Sequence, residues 1–184
     1  MSSQLTQHGI LGIPRDAFSA LHGVLFRDAG ANAASYLQEA GYSAGASLLA
    51  AFSEWCASRK LPAPEELPLA DFARHAGAFL TELGWGSVSV ETLHDSAVAI
   101  DSADWPEANP ASGMQYPGCY FSAGMLADFF GRIAGAQLVT MEVECRSIGH
   151  ERCRFLVASA ETIQHVYDGL TQGVDYRTSL EQMA

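Results

Sequence analysis

Apolar residues recur at three- and four-residue intervals through the first half of the chain, from Arg15 to about Leu83. Phe18, Leu21, His22 and Leu25 form one such stripe, and Leu48, Leu49, Phe52, Trp55 and Cys56 form another. That spacing predicts amphipathic helices with one face turned to a core. Turn residues around Gly41 and the prolines Pro62, Pro64 and Pro68 break the pattern. A third helix is predicted from near Leu69, with Pro68 before its first turn and Phe72, Ala76, Phe79, Leu80 and Leu83 on one face. His75 falls on that face too. After Gly84 the period shortens: Val88, Val90 and Leu93, then Val98 and Ile100, predict an antiparallel hairpin around His94, Asp95 and Ser96. The segment from Asp101 to Gly118 contains Pro106, Pro110 and Pro117 and reads as a long loop.

Cys119 to about Ala134 reads as a helix that buries Phe121, Met125, Leu126, Phe129 and Ile133 and stops at Gly135. Strands are predicted over Gln137 to Glu144 and His150 to Ala158, joined by a turn at Gly149. A last helix, about Glu161 to Leu170, precedes a polar tail. The order predicts an α+β domain, with helices packed on a four-stranded antiparallel sheet. Residues 1–184 are expected to form one domain, its helical part about 15–83 and its sheet part about 84–184.

Ten Lys and Arg against 21 Asp and Glu give a formal charge of −11. That excludes nucleic acid as the main partner, since phosphate binding relies on clustered cations. No apolar run is long enough for a membrane span, and Met1 to Gly12 lacks the basic and then apolar regions of a secretory signal. A cytoplasmic protein is expected. Sequence signatures of a dinucleotide fold, a serine-hydrolase elbow and a zinc peptidase are all missing, so nothing in the pattern points to an enzyme.

The distinctive chemistry is a set of cysteines. Cys119 opens a predicted helix, Glu142 and Cys145 stand as E-x-x-C at a strand end, and Cys153 lies on the returning strand. Three thiolates and a carboxylate suit a divalent ion such as zinc in a closed four-ligand shell, which is a structural arrangement. Arg146, His150, Arg152 and Arg154 crowd the same turn and are expected to compensate the anionic cluster. Two other readings stay open on spacing alone: ordinary buried cysteines with a solvent-facing Glu142, or a disulfide between Cys145 and Cys153.

The segment from Cys119 to Phe155, with its E-x-x-C-R run Glu142, Cys145 and Arg146 and its G-x-x-x-C-x-F run Gly149, Cys153 and Phe155, resembles the 4-vinyl-reductase domain family. GYSAGASLLAAF, Gly41 to Phe52, resembles that family's earlier helix. The resemblance implies the fold shared with TRAPP vesicle-tethering subunits and with the sensor domains of phenol- and xylene-responsive regulators. It implies a structural zinc on Cys119, Glu142, Cys145 and Cys153, a homodimer formed through N-terminal helices carrying the Phe18, Leu21 and Leu25 stripe, and an aromatic or other hydrophobic ligand. Because the chain has neither a Walker motif nor a helix-turn-helix pattern, a stand-alone module acting through a downstream regulatory protein is expected. The family also contains a bacteriochlorophyll-biosynthesis protein, so a tetrapyrrole-pathway role, enzyme or carrier, is the alternative. The ligand cavity is expected between the third helix, the sheet and the start of the Cys119 helix. His75, Phe79, Trp105, Tyr120 and Phe121 are its expected contacts, with His75 or Trp105 as the polar anchor.

Overall fold

The computed structural model describes residues 8–183. Four helices come first: α1 (Arg15–Ala29), α2 (Asn32–Tyr42), α3 (Gly45–Ser58) and α4 (Leu69–Glu82). A hairpin of β1 (Val88–His94) and β2 (Ala97–Ser102) follows, then a stretch without helix or strand, then α5 (Tyr120–Ala134). The second hairpin is β3 (Val139–Glu144) and β4 (Cys153–Ala158), and the described chain closes with α6 (Ala160–Thr171) and α7 (Tyr176–Glu181). The sheet is antiparallel throughout in the order β1-β2-β4-β3, so β2 and β4 sit in the middle and join the two hairpins.

Alternation along the central strand β4 divides the interior in two. Cys153, Phe155 and Val157 face a core built from α3, α4 and α5, in which Phe52, Phe79, Leu80, Ile100, Leu126 and Phe129 are buried. Leu156 and Ala158 face a smaller core with Ala97, Ala99, Ile163, Val166 and Leu180, closed by α6 and α7. The predicted polar tail is thus partly a helix, capped by Asp175, whose side chain accepts from the Arg177 and Thr178 N–H groups. Its one large apolar anchor, Leu180, is 2% exposed.

The break expected around Gly41 falls two residues on, at Ser43–Ala44, with a further turn at Gly30; Gly41 itself lies in the last turn of α2. Gly41 is needed for contact: a Cβ on it would overlap the Phe121 carbonyl oxygen, and a Cβ on Gly124 would overlap the Gln38 carbonyl oxygen. The two glycines let α2 and α5 cross with their backbones touching. This close crossing fixes the start of α5, where the candidate site lies.

Candidate functional site

Three chain segments bring Cys119, Glu142, Cys145 and Cys153 together, with one ligand atom from each residue lying within 4.8 Å of all the others. Cys119 occupies the N-cap of α5. Glu142 points from β3 toward the helices; the register of β3 then shifts between Glu142 and Glu144, and Glu144 joins Val143 on the opposite face of the sheet. Cys145 follows directly, at the head of a 3-10 turn (Arg146–Ile148) that Gly149 closes at φ 96°. The Cys145 carbonyl accepts from the N–H groups of Ile148 and His150, each at 3.2 Å. Cys153 opens β4 opposite Ser102.

All three thiols are buried and none is in a disulfide. The Sγ atoms of Cys119 and Cys145 are 3.9 Å apart, as are those of Cys119 and Cys153. Glu142 Oε2 accepts the Cys119 N–H at 2.9 Å, while the buried Glu142 Oε1 has no partner among the described residues. A buried carboxylate oxygen without a donor is costly, and burial together with the Cys145 sulfur pushes the Glu142 carboxyl up to about 8. Bonds from the Cys119 and Cys153 thiols hold Cys145 far below the usual thiol range, whereas burial raises Cys119. A bound cation would draw all three thiols and the carboxyl toward their anionic forms, as metal ligands must be. These residues could therefore hold a metal ion.

Two of the arginines expected to compensate the cluster, Arg152 and Arg154, do something else. Arg154 alternates to the far face of β4, where it bonds Asp101 at 2.6 and 2.5 Å and Glu91 at 3.0 Å. Arg152 pairs with Glu144 at 2.9 and 3.0 Å, and Tyr176 donates its hydroxyl to the same carboxylate at 2.5 Å. Burial would raise Glu144, but the Arg152 and Tyr176 bonds outweigh it and hold the group down at about 2. The main-chain groups of Gly118 and Arg146 favour the thiolates of Cys145 and Cys153 respectively. His150 Nδ1 accepts the Cys145 N–H at 2.9 Å.

A second feature adjoins the cluster. A cavity of about 660 Å³ lies beneath the segment 9–13, between Phe18 of α1, Leu48 of α3, Leu83 and Trp85 after α4, and Phe121 and Met125 of α5. Phe121 alone of the five expected contacts lines it, and it stands two residues from Cys119. Its ring stacks with Trp85 at a centroid distance of 6.2 Å. Trp105 is 1% exposed, donates its indole N–H to Ser122 Oγ at 2.7 Å, and backs Trp85 from behind at 5.3 Å. Phe79 is deep in the core against Phe52, and Tyr120 lies 6.0 Å from Phe26. His75 sits half-buried against Trp55 at 5.9 Å, away from the cavity wall.

Glu107 is the functional-site neighbour that the pattern did not single out. Its carboxylate is buried within the long loop and accepts the N–H groups of Phe121 at 2.9 Å and Ser122 at 2.8 Å, as well as the Ser122 hydroxyl. It caps α5 from a distance. His22 Nε2 donates to the Gly118 carbonyl at 2.9 Å and lies 3.6 Å from Glu107 Oε1.

Residues 100–159 match the 4-vinyl-reductase (V-4-R) domain. The matched stretch takes in all four candidate ligands, Glu107 and Phe121, and bears out the 4-vinyl-reductase resemblance drawn from the Cys119–Phe155 segment. Among solved structures, the phenol-responsive sensory domain of the transcription activator PoxR, crystallised with phenol, is similar with a TM-score of 0.67 at 16% identity, over 88% of this chain and 82% of that one. A trafficking protein particle complex subunit 3 from Naegleria fowleri, covalently bound to palmitic acid, gives 0.59 at 15% identity over 78% and 91%. A vinyl-4-reductase family protein from Methanocaldococcus jannaschii gives 0.53 at 21% identity over 80% and 82%. At these identities the likeness is one of fold, helices on a four-stranded antiparallel sheet. No curated protein matches the chain by sequence.

Proposed function

We propose that the chain is one domain of the 4-vinyl-reductase type that binds or senses a small aromatic or other hydrophobic molecule, holds a structural zinc, and passes its state to a partner protein in the cytoplasm. One observation carries this reading: Phe121 lines the 660 Å³ cavity while Cys119, two residues earlier, belongs to the four-donor cluster. A molecule that displaces the Phe121 ring pulls on the α5 N-terminus, which Glu107 and the cluster hold in place. A signal of this kind requires the molecule to bind one position of that terminus more tightly than another.

The sulfur spacing supports zinc. Two sulfurs each about 2.3 Å from a tetrahedral zinc stand about 3.8 Å apart, close to the 3.9 Å of both Cys119 pairs. Cys119, Cys145, Cys153 and the unpartnered oxygen of Glu142 would hold the ion, tying α5 to the second hairpin. The oligomer is read as a homodimer through α1. No residue of that helix is buried, and Leu21 and Val24 are 51% and 41% exposed.

Metal analysis and calorimetry with phenols and arenes test the proposal together. One zinc per chain that is lost on Cys145→Ser, and arene binding weakened by Phe121→Ala, are the expected results. A chain that binds no small apolar molecule, or a purified protein with a Soret band, would overturn the sensing reading, the latter in favour of a tetrapyrrole role. A monomer by light scattering that Leu21→Glu leaves unchanged would remove the dimer.

A further inference from the structure

The walls of the cavity carry a chemical bias. In a chain with 21 acidic residues against ten Lys and Arg, none of the lining residues is Asp or Glu, and one, Arg15, is a cation. Arg15 forms no ion pair among the described residues. Its guanidinium donates only to two main-chain carbonyls, Asp104 at 3.4 Å and Gly84 at 3.5 Å, both long for such a donor. Gly84 is itself on the cavity wall, so the guanidinium stands at that rim. The Asp104 carboxylate, close enough to feel Arg15, is already engaged with the Ser87 N–H at 2.6 Å and the Ser102 hydroxyl at 2.9 Å. The rest of the wall near Arg15 is Ile13, Phe18, Leu83 and Trp85, with Phe121 and Met125 further in.

We infer that the cavity takes an apolar molecule bearing a single carboxylate, with the carboxylate on Arg15 and the apolar body against Trp85, Phe121 and Met125. The inference rests on the reading of this cavity as the ligand site. An apolar lining fixes size and hydrophobicity but not orientation, which takes a few placed polar groups. A guanidinium with its donors poorly satisfied, whose one neighbouring carboxylate, Asp104, is engaged by Ser87 and Ser102, provides that orientation for a planar anion. A neutral alcohol or phenol of the same body gains only one ordinary hydrogen bond there.

Calorimetry at pH 7.5 with two matched pairs, decanoate against decanol and 4-butylbenzoate against 4-butylphenol, tests this on the wild type, Arg15→Gln, Arg15→Lys and Ser47→Trp. Ser47 is an exposed wall residue, so an indole there narrows the cavity without disturbing the core. The acid of at least one pair is expected to bind the wild type about tenfold or more tighter than its neutral partner, the lower end for a charge-assisted contact at a rim. Arg15→Gln should abolish that preference while leaving the neutral compound's affinity unchanged, Arg15→Lys should restore part of it, and Ser47→Trp should weaken both compounds. Equal binding of acid and neutral partner, or a preference that survives Arg15→Gln, overturns the carboxylate assignment and leaves the cavity reading intact. Acid binding that Ser47→Trp does not touch overturns it by locating the site elsewhere. Failure of all four compounds to bind a natively folded protein removes the cavity reading along with it.

Discussion

Replacing Glu107 by Gln is expected to change how stability depends on pH. The carboxyl is buried at the head of α5, and burial of its nearest basic group, His22, lowers that imidazole and so weakens it as a cationic partner. Three donated hydrogen bonds favour the ionised form, but burial outweighs them and pushes Glu107 up to about 7 from an ordinary 4.5. Between those two values the native chain keeps a proton that the unfolded chain has lost. Stability from this group is therefore full below pH 4.5 and falls as pH rises toward 7, by about 1.4 kcal/mol per unit and about 3 kcal/mol in all. The sign is opposite to that of a carboxylate paired with a cation. Gln cannot ionise, so the stability difference between Glu107→Gln and wild type should shift by about 2.5 kcal/mol in favour of the variant from pH 5 to pH 8, whatever constant offset the amide introduces. Urea denaturation at half-unit steps, with and without chelator to separate any metal contribution, measures it. A difference that stays constant within about 0.5 kcal/mol across that range would refute the account of Glu107 as a neutral acid at the helix head.

Chelation should destabilise the protein, because binding free energy at a four-ligand site is also folding free energy; the check is a melting temperature that falls with a strong chelator in wild type and does not fall further in Cys145→Ser. Gly124→Ala forces α2 and α5 apart and should cost about 1–3 kcal/mol, lowering the melting temperature by roughly 3–8 °C. Gly23→Ala in α1, where a Cβ meets nothing within 4 Å, should instead raise stability by up to about 1 kcal/mol. Arg154→Met leaves the Asp101 carboxylate with only the longer Arg152 contact at 3.7 Å and should cost about 3 kcal/mol by urea denaturation, with Arg154→Met combined with Asp101→Asn less damaging than the two single costs added.

Much of the fold was legible because its elements are long and periodic. The stripe Leu48, Phe52 and Cys56 is buried as its spacing predicted, and the two hairpins fall where the period shortens. The four candidate ligands were legible because cysteine is scarce enough for its spacing to stand out. The cavity was not. A stripe says which side of a helix is apolar, not what that side meets: Phe79 went to the core and His75 to Trp55, while the cavity drew on Ile10, Leu48 and Met125 from distant parts of the chain. Glu107 had no signal at all, being one of 21 acids and lying between two prolines of an irregular loop. The back-face helix α7 escaped notice because a six-residue element has no room to show a period.

The position of β4 between two unlike chemistries has a consequence for how the sheet assembles. Cys153 faces the sulfurs of the four-donor cluster and its neighbour Arg154 faces the carboxylates of Asp101 and Glu91. Sliding the strand by one residue would exchange them, driving a guanidinium among thiols and leaving a thiol among carboxylates. Apolar residues tolerate such a slip in part, since Phe155, Leu156 and Val157 are hydrophobic on both faces. The adjacent pair Cys153 and Arg154 does not, so these two side chains act as the key that admits β4 between β2 and β3 in a single alignment.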